Sequence, residues 1–135
     1  MSEPTERDWL EGLCPEERER LRDEPECPFC EAGKRRAPLY FYESDVDRAF
    51  TLEPLNPVTE GHLLVIPFQH VADATTNPTV TAETMRVAAK VAATRGAPCN
   101  LITSVGHAAT QTVMHLHIHV VPRHEGDGLR LPWTP

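Results

Sequence analysis

The chain of 135 residues is 40% hydrophobic, which suits one domain with one sizeable core. Its formal net charge of −7 at pH 7 argues against a broad basic surface for a nucleic-acid backbone, but it does not exclude a small phosphorylated ligand. No apolar run approaches the roughly 18 residues of a membrane span, and the acidic, polar N-terminus is unlike a signal peptide. We therefore expect no membrane or nucleic-acid partner and a cytoplasmic location.

Residues 1–26 read as a charged N-terminal extension, and residues 27–135 are expected to form the folded domain. Charged side chains dominate residues 16–22, and Pro15 stands where a short helix can begin. Few apolar residues are available there to anchor the extension. We expect it to be solvated and only loosely packed.

A Cys-x-x-Cys pair opens the domain at Cys27 and Cys30. Such a pair can be a redox dithiol, half of a disulfide framework or half of a zinc site. A cytoplasmic location disfavours structural disulfides, and the βαβ pattern expected beside a redox dithiol is missing. Zinc requires two further ligands, so the spacing alone does not assign this pair.

Short stretches rich in aromatic and branched residues predict β-strands in two parts of the chain. The connections between the first three are short and polar, as is typical of antiparallel neighbours. The predicted strands cover residues 39–42, 49–52, 62–66 and 99–104.

Small and apolar residues recur at helical spacing over residues 82–93, which predicts the main helix. Thr81 is the expected N-cap, and Gly96 lies just beyond the expected end. Together with the strands this order predicts an α+β meander and not a series of βαβ units. The recurring helix residues are Met85, Ala88, Ala89 and Ala92.

Three histidines alternate with aliphatic residues in the stretch 111–123, at His115, His117 and His119. Alternation predicts a half-buried strand whose aliphatic face meets the core and whose other face carries the histidines. Chance could give a polar outer face, but such faces usually carry Thr, Lys, Glu or Ser. A metal site is a stronger interpretation, because His-x-His presents imidazoles to one ion. A nucleophile is stronger still, because neutral imidazole can attack phosphorus.

This run, preceded by Gln111 and Thr112, resembles the signature of the histidine-triad (HIT) superfamily of nucleotidyl hydrolases and transferases. Residues 56–67, together with His70, resemble that superfamily's upstream strand. The resemblance implies a HIT-like α+β fold with a five-stranded antiparallel sheet and one main helix. It also implies a homodimer, for which the small-residue helix face is suited. That face comprises Ala88, Ala89, Ala92 and Ala93.

The resemblance also implies roles for the histidines. His117 would attack the α-phosphate of a nucleoside monophosphate derivative, with a purine base expected, and would form a covalent nucleotidyl-imidazole. His119 would donate to the phosphate oxygens where charge builds, and His62 would support the triad. Gln111 and Thr112 would hold phosphate or leaving-group oxygens. The leaving group stays open.

In the zinc-carrying branch of the superfamily, the two missing ligands of the Cys-x-x-Cys pair are histidines. The matching positions on this chain are His70 and His115. The resemblance therefore implies one structural Zn²⁺ bound by Cys27, Cys30 and these two histidines.

Three positions depart from the family's pattern. Thr110 replaces the usual glycine before Gln111, and Ser104 replaces an asparagine. Pro54 stands where an acidic or amide side chain would hold the ribose hydroxyls. Glu53 and Leu55 flank it as further candidates for the nucleotide side of the site.

Two classes of function follow from these patterns. The first is an enzyme working through His117, which we favour. The second is a nucleotide-binding or adaptor module of the same fold with little turnover, to which Thr110 could point. A third hypothesis, a catalytic metal on all three triad histidines, is weak because Cys27 and Cys30 are better zinc ligands.

Overall fold

The computed structural model describes residues 27–35, 40–43 and 48–134. The predicted N-terminal extension and its short helix lie outside these residues. None of the described helices is long and apolar enough to cross a membrane.

An antiparallel sheet forms the centre of the domain, in the order β1-β2-β3-β5-β4. Every neighbouring pair of strands in it is antiparallel. The main helix connects β3 to β4, and β5 then returns between them. The strands are β1 (Tyr40–Glu43), β2 (Arg48–Leu52), β3 (Leu63–Pro67), β4 (Cys99–Ile102) and β5 (Ile118–Pro122), and the helices are α1 (Pro28–Arg35) and α2 (Pro78–Arg95). The α+β class, the antiparallel sheet and the main helix are thus confirmed.

Helix α2 begins four residues earlier than the sequence suggested. Asn77 is the N-cap, and its side chain accepts hydrogen bonds from the backbone N–H groups of Thr79 and Val80. The predicted cap, Thr81, lies inside the first turn, where its hydroxyl donates to the Ala74 carbonyl at 2.8 Å. Gly96 ends the helix in the left-handed conformation, as expected.

One face of the sheet packs against α2. Leu63 and Val65 of β3 and Ile118 and Val120 of β5 form a buried cluster with residues of this helix. The buried face of α2 differs from the predicted set of recurring helix residues. Ala89 is exposed, and branched side chains occupy the core positions. The buried residues of the helix are Val80, Thr84, Val87, Ala88 and Val91.

The opposite face of the sheet is covered by α1, which the sequence did not predict. Its Phe29 is buried with Phe50, Leu64 and Ile66. Because successive strand residues point to opposite faces, β3 is buried on both sides along its whole length. The Cys-x-x-Cys segment therefore lies directly on the sheet.

The triad strand is shorter than predicted. Pairing begins at Ile118, opposite Val65, so that His115 and His117 lie in the segment that leads into β5, with His115 in a bend. Leu116 leaves the sheet and donates its N–H to the Val71 carbonyl at 2.8 Å. The alternation of aliphatic and histidine side chains is correct, but the regular ladder covers only its second half.

Candidate active site and metal centre

Two histidines distant in sequence meet on the face of the sheet that α1 covers. His62 immediately precedes β3, and His119 lies in β5. The Nε2 atom of His62 is 2.9 Å from Nδ1 of His119. His119 in turn lies beside His117, with 5.1 Å between the ring centroids. The structure thus brings the three predicted catalytic histidines into one row.

The hydrogen bonds of His62 fix which nitrogens carry protons. The backbone N–H of Val58 donates to His62 Nδ1 at 3.2 Å, so the proton of a neutral His62 is on Nε2. That Nε2–H then donates to Nδ1 of His119. In the neutral ring of His119 the proton is consequently on Nε2, the nitrogen that remains available to a ligand.

His117 has the opposite tautomer. Its Nδ1–H donates to the backbone carbonyl of His115 at 2.8 Å. The lone pair of Nε2 is therefore free, which is what a nucleophilic imidazole requires.

Burial keeps these imidazoles neutral. Desolvation is the main cause that lowers the pKa of His117 and the cause that lowers the pKa of His62. The pKa of His119 falls to about 4, first through burial and then through the neighbouring charges of His117 and His62. At neutral pH the site can therefore supply both a lone pair and an N–H donor.

Gln111, a predicted phosphate-binding residue, makes its hydrogen bonds within the protein. It is buried, and its Oε1 accepts the Gly106 N–H at 2.8 Å. Its Nε2 donates to the carbonyls of Ala72 and Val113, and its backbone N–H donates to the Gly106 carbonyl. Both amide groups are thus occupied, and Gln111 braces the loop between β4 and β5.

The other predicted phosphate-binding residues lie on the same loop. Thr112 is exposed, and Ser104 is half-buried. Thr110 is in the left-handed region with φ 73°, and among the described residues it is the one non-glycine with positive φ. Since a branched side chain is disfavoured there, the backbone at this position suits a glycine.

The predicted nucleotide-side residues follow β2. Glu53, Pro54 and Leu55 lie in the connection to β3, with Leu55 99% exposed and Glu53 also exposed. This is the same connection that supplies the Val58 N–H to His62. A nucleotide lying over the histidines would thus have this loop as a neighbour.

All four predicted metal ligands converge at the end of the sheet. The ligand atoms of Cys27, Cys30, His70 and His115 lie within 4.8 Å of one another. Nδ1 of His115 is 3.1 Å from Nδ1 of His70, and Cys30 Sγ is 3.2 Å from His70 Nδ1. Cys27 Sγ is 3.4 Å from His115 Nδ1.

These distances fit zinc. Tetrahedral bonds of about 2.3 Å to sulfur and 2.0–2.1 Å to nitrogen place neighbouring ligand atoms about 3.3–3.8 Å apart. His115 Nε2 donates to the Pro67 carbonyl at 2.9 Å, which leaves the Nδ1 lone pair for a metal. The hydrogen bond from Cys30 lowers the pKa of Cys27 far below its ordinary value, with His115 and His70 adding to the effect and burial opposing it. A cluster of thiolate and neutral imidazole is the donor set that Zn²⁺ prefers.

Phe29 lies between the Cys-His cluster and His117. Its ring is 5.9 Å from the ring of His115 and 5.0 Å from that of His117, in edge-to-face geometry with both. Sequence reasoning missed this residue, although its place between two cysteines was a signal. It also missed Thr103, whose hydroxyl donates to the His117 carbonyl at 2.9 Å and which no sequence pattern marked.

Comparisons with known proteins agree with this geometry. The family model described as HIT domain matches residues 40–126. An uncharacterized HIT-like protein of Mycobacterium tuberculosis is 36% identical over 109 residues, which are 76% of this chain and 75% of that protein. Adenylylsulfatase HINT3 of Arabidopsis thaliana is 35% identical over 111 residues, which are 77% of this chain and 55% of that protein.

The fold is also found among solved structures. A Zn-bound histidine triad family protein from Mycobacterium smegmatis superposes with a TM-score of 0.66 at 37% identity, covering 77% of this chain and 79% of that one. With the triad, its supporting histidine and the Cys-x-x-Cys cluster all in place, the chain belongs to the HIT family.

Proposed function

We propose that this protein is a nucleotidyl hydrolase or transferase that acts on the α-phosphate of a nucleoside monophosphate derivative through His117. One observation carries the proposal: the Nδ1–H of His117 is held by the His115 carbonyl, so Nε2 has a free lone pair beside an N–H donor, His119. The relationship to an adenylylsulfatase supports a nucleotide substrate with an activated phosphate. A purine base is part of the proposal.

The reaction proceeds in two displacements. Nε2 of His117 forms a bond to the α-phosphorus while the bond from phosphorus to the leaving group breaks. The Nε2–H of His119 donates to a phosphate oxygen as negative charge builds there. The oxygen of water, or of another acceptor, then bonds to the phosphorus and releases its proton to solvent, while the N–P bond breaks and its electron pair returns to Nε2 of His117.

The structural metal is the second part of the proposal. Cys27, Cys30, His70 and His115 would hold one Zn²⁺, which would tie α1 to the segment before β5. Protein purified without chelator should contain about one zinc per chain. Cys27→Ser should lose it, whereas Cys99→Ser, which changes a half-buried cysteine outside the cluster, should keep it. Wild-type protein without zinc would contradict this assignment.

A homodimer and a cytoplasmic location are also proposed. Strand β4 is at an edge of the sheet, and the exposed side of α2 carries Ala89 and Ala93. Both features permit close approach of a second copy, and closed two-fold dimers are the commonest soluble oligomers. Light scattering at micromolar concentration should give twice the mass of the chain, and a monomer would contradict the proposal.

The covalent adduct provides the direct test of the enzyme. Wild-type protein is mixed with adenylyl sulfate, an adenosine phosphoramidate or a dinucleoside polyphosphate, and intact mass is followed on the millisecond-to-second scale. A mass increase of one nucleotidyl group is expected, and His117→Ala should abolish it. His107→Ala, which changes an exposed histidine on the nearby 3₁₀ turn, is the control.

A nucleotide-binding module with little turnover is the second candidate, and the left-handed Thr110 favours it. Binding of the same nucleotides without adduct or product would support this candidate and overturn the enzyme.

A further inference from the structure

His117 lies just outside the regular hydrogen bonding of the sheet. Pairing of β5 with β3 begins at Ile118, and pairing of β5 with β4 reaches only His119, opposite Ile102. The proposed nucleophile therefore precedes the first paired residue of its own strand. A contact other than the backbone hydrogen bonds of the sheet must therefore hold the main chain at His117.

The side chain of Thr103 takes the place of the missing ladder bond. Thr103 directly follows the last residue of β4, and its Oγ1–H donates to the His117 carbonyl at 2.9 Å. The residue is half-buried, so this hydrogen bond is partly shielded from competing water. In the register of β4 and β5 His117 would lie opposite Ser104, so its carbonyl receives a hydroxyl donor from the neighbouring residue, Thr103.

The remaining contacts of His117 act on its ring. Nδ1–H donates to the His115 carbonyl, and the rings of Phe29 and His119 pack against the imidazole with centroids 5.0 Å and 5.1 Å away. These three contacts set how the imidazole is rotated. The hydrogen bond from Thr103 sets where the main chain that carries the ring lies. A shift of that main chain would move Nε2 even with all three ring contacts intact.

We propose that Thr103 is a positioning residue for His117, holding the backbone of the nucleophile at the distance that in-line attack on phosphorus requires. The inference rests on the proposed function and assigns to it a residue that touches no substrate. Displacement of reacting atoms by about 1 Å can cost about a hundredfold in rate. Loss of the hydrogen bond from Thr103 should move the main chain at His117 by less than this, because the neighbouring strand stays in place.

The test uses two substitutions that stay close to threonine in size. Thr103→Val removes the hydroxyl and keeps the shape, and Thr103→Ser keeps the hydroxyl and removes a methyl group. At saturating nucleotide, adduct formation on His117 should be about tenfold slower in Thr103→Val, with KM within about twofold of wild type. Thr103→Ser should restore most of the rate.

A second measurement does not depend on turnover. The ¹⁵N and ¹H signals of the His117 ring and backbone are recorded in the ligand-free protein. They should move in Thr103→Val and stay near the wild-type positions in Thr103→Ser. Melting temperatures of both variants show whether each is folded, and Thr103→Ala replaces Thr103→Val if that variant does not fold.

The outcomes separate this inference from the proposed function. If wild-type protein forms no adduct, the proposed function fails, and unmoved His117 signals in Thr103→Val then also overturn the role of Thr103. If wild-type protein forms the adduct and Thr103→Val forms it equally fast, only the role of Thr103 is overturned. A change confined to KM would likewise overturn it, because positioning of the nucleophile acts on the chemical step.

Discussion

At the scale of single residues, the loop before the triad contains a conflict between backbone and side chain. Thr110 adopts φ 73°, where its branched Cβ crowds the chain. The left-handed conformation costs a non-glycine residue about 1–2 kcal/mol. The conformation persists because Thr110 N–H bonds to the His107 carbonyl at 2.9 Å and Gln111 is fixed directly after it.

Replacing Thr110 by glycine should relieve this strain. We expect Thr110→Gly to change the free energy of unfolding by no more than about 1 kcal/mol, since the flexibility of glycine in the unfolded chain offsets the gain. Nucleotide turnover should rise, because the phosphate gains room beside the loop. Thr110→Ala, which keeps a Cβ in the same conformation, is the matched control. Unchanged or lower turnover in Thr110→Gly would show that the loop already accepts threonine, and would remove the main support for a binding-only protein.

Gln111 is the second residue-scale prediction. Gln111→Ala should lower the free energy of unfolding by about 2–4 kcal/mol, because it removes three hydrogen bonds and leaves half-buried backbone groups without these partners. Urea denaturation measures the loss. Thr112→Ala at the exposed neighbouring position should change stability by less than about 0.5 kcal/mol. Equal effects of the two substitutions would contradict the bracing role.

At the scale of elements, the N-terminus of α2 is capped by Asn77. Asn77 precedes Pro78, whose fixed φ suits the first turn of a helix, and the Asn77 side chain accepts two backbone N–H groups. Asn77→Ala should therefore destabilise the protein by about 1 kcal/mol. Glu83→Ala, which changes a residue inside the same helix, is the control and should cost much less. Chemical denaturation of the two variants decides, and a neutral Asn77→Ala would mean that solvent replaces the cap.

The elements also show which features were predictable. Residues 49–52 and 63–66 have strand composition, and the structure confirms strands there. Helix α1 was missed because it has only eight residues with Gly33 among them, too short a segment for propensity to predict a helix. It forms because Phe29 is buried against the sheet, a tertiary effect that local sequence does not contain.

The site was predictable to a similar extent. The metal ligands and the triad follow from residue types in the family's pattern, and the structure brings each of these groups together. The hydrogen bonds that the side chains of Gln111 and Thr103 make were not predictable, because their acceptors are carbonyls distant in sequence, at Ala72 and His117. No pattern within either segment identifies such a partner.

At the scale of the whole molecule, the lowered pKa of His119 makes stability depend on pH. The pKa of His119 is lowered from 6.5 to about 4 in the folded protein by burial, followed by the neighbouring charges of His117 and His62. Between pH 6.5 and about 4 the unfolded chain binds a proton at His119 that the folded chain does not bind. The free energy of unfolding is therefore unaffected by His119 above pH 6.5 and falls progressively as the pH falls to about 4.

The melting temperature should accordingly fall across this range in the wild type. His119→Gln removes the titrating group and should give a shallower dependence, whereas His107→Gln at an exposed position should follow the wild type. Calorimetry at pH 7, 6, 5 and 4 makes the comparison. Parallel curves for His119→Gln and wild type would mean that other groups determine the acid sensitivity.

His115 contributes its imidazole to the cluster of Cys27, Cys30 and His70, and its carbonyl to the Nδ1–H of His117. The imidazole is lost when residue 115 is replaced, whereas the carbonyl belongs to the backbone and is present in every amino acid. Descendants of this protein can therefore lose the imidazole at position 115 and still keep the acceptor that orients His117, provided that the main chain follows the same path. In evolutionary terms, the side chain is the dispensable half of His115.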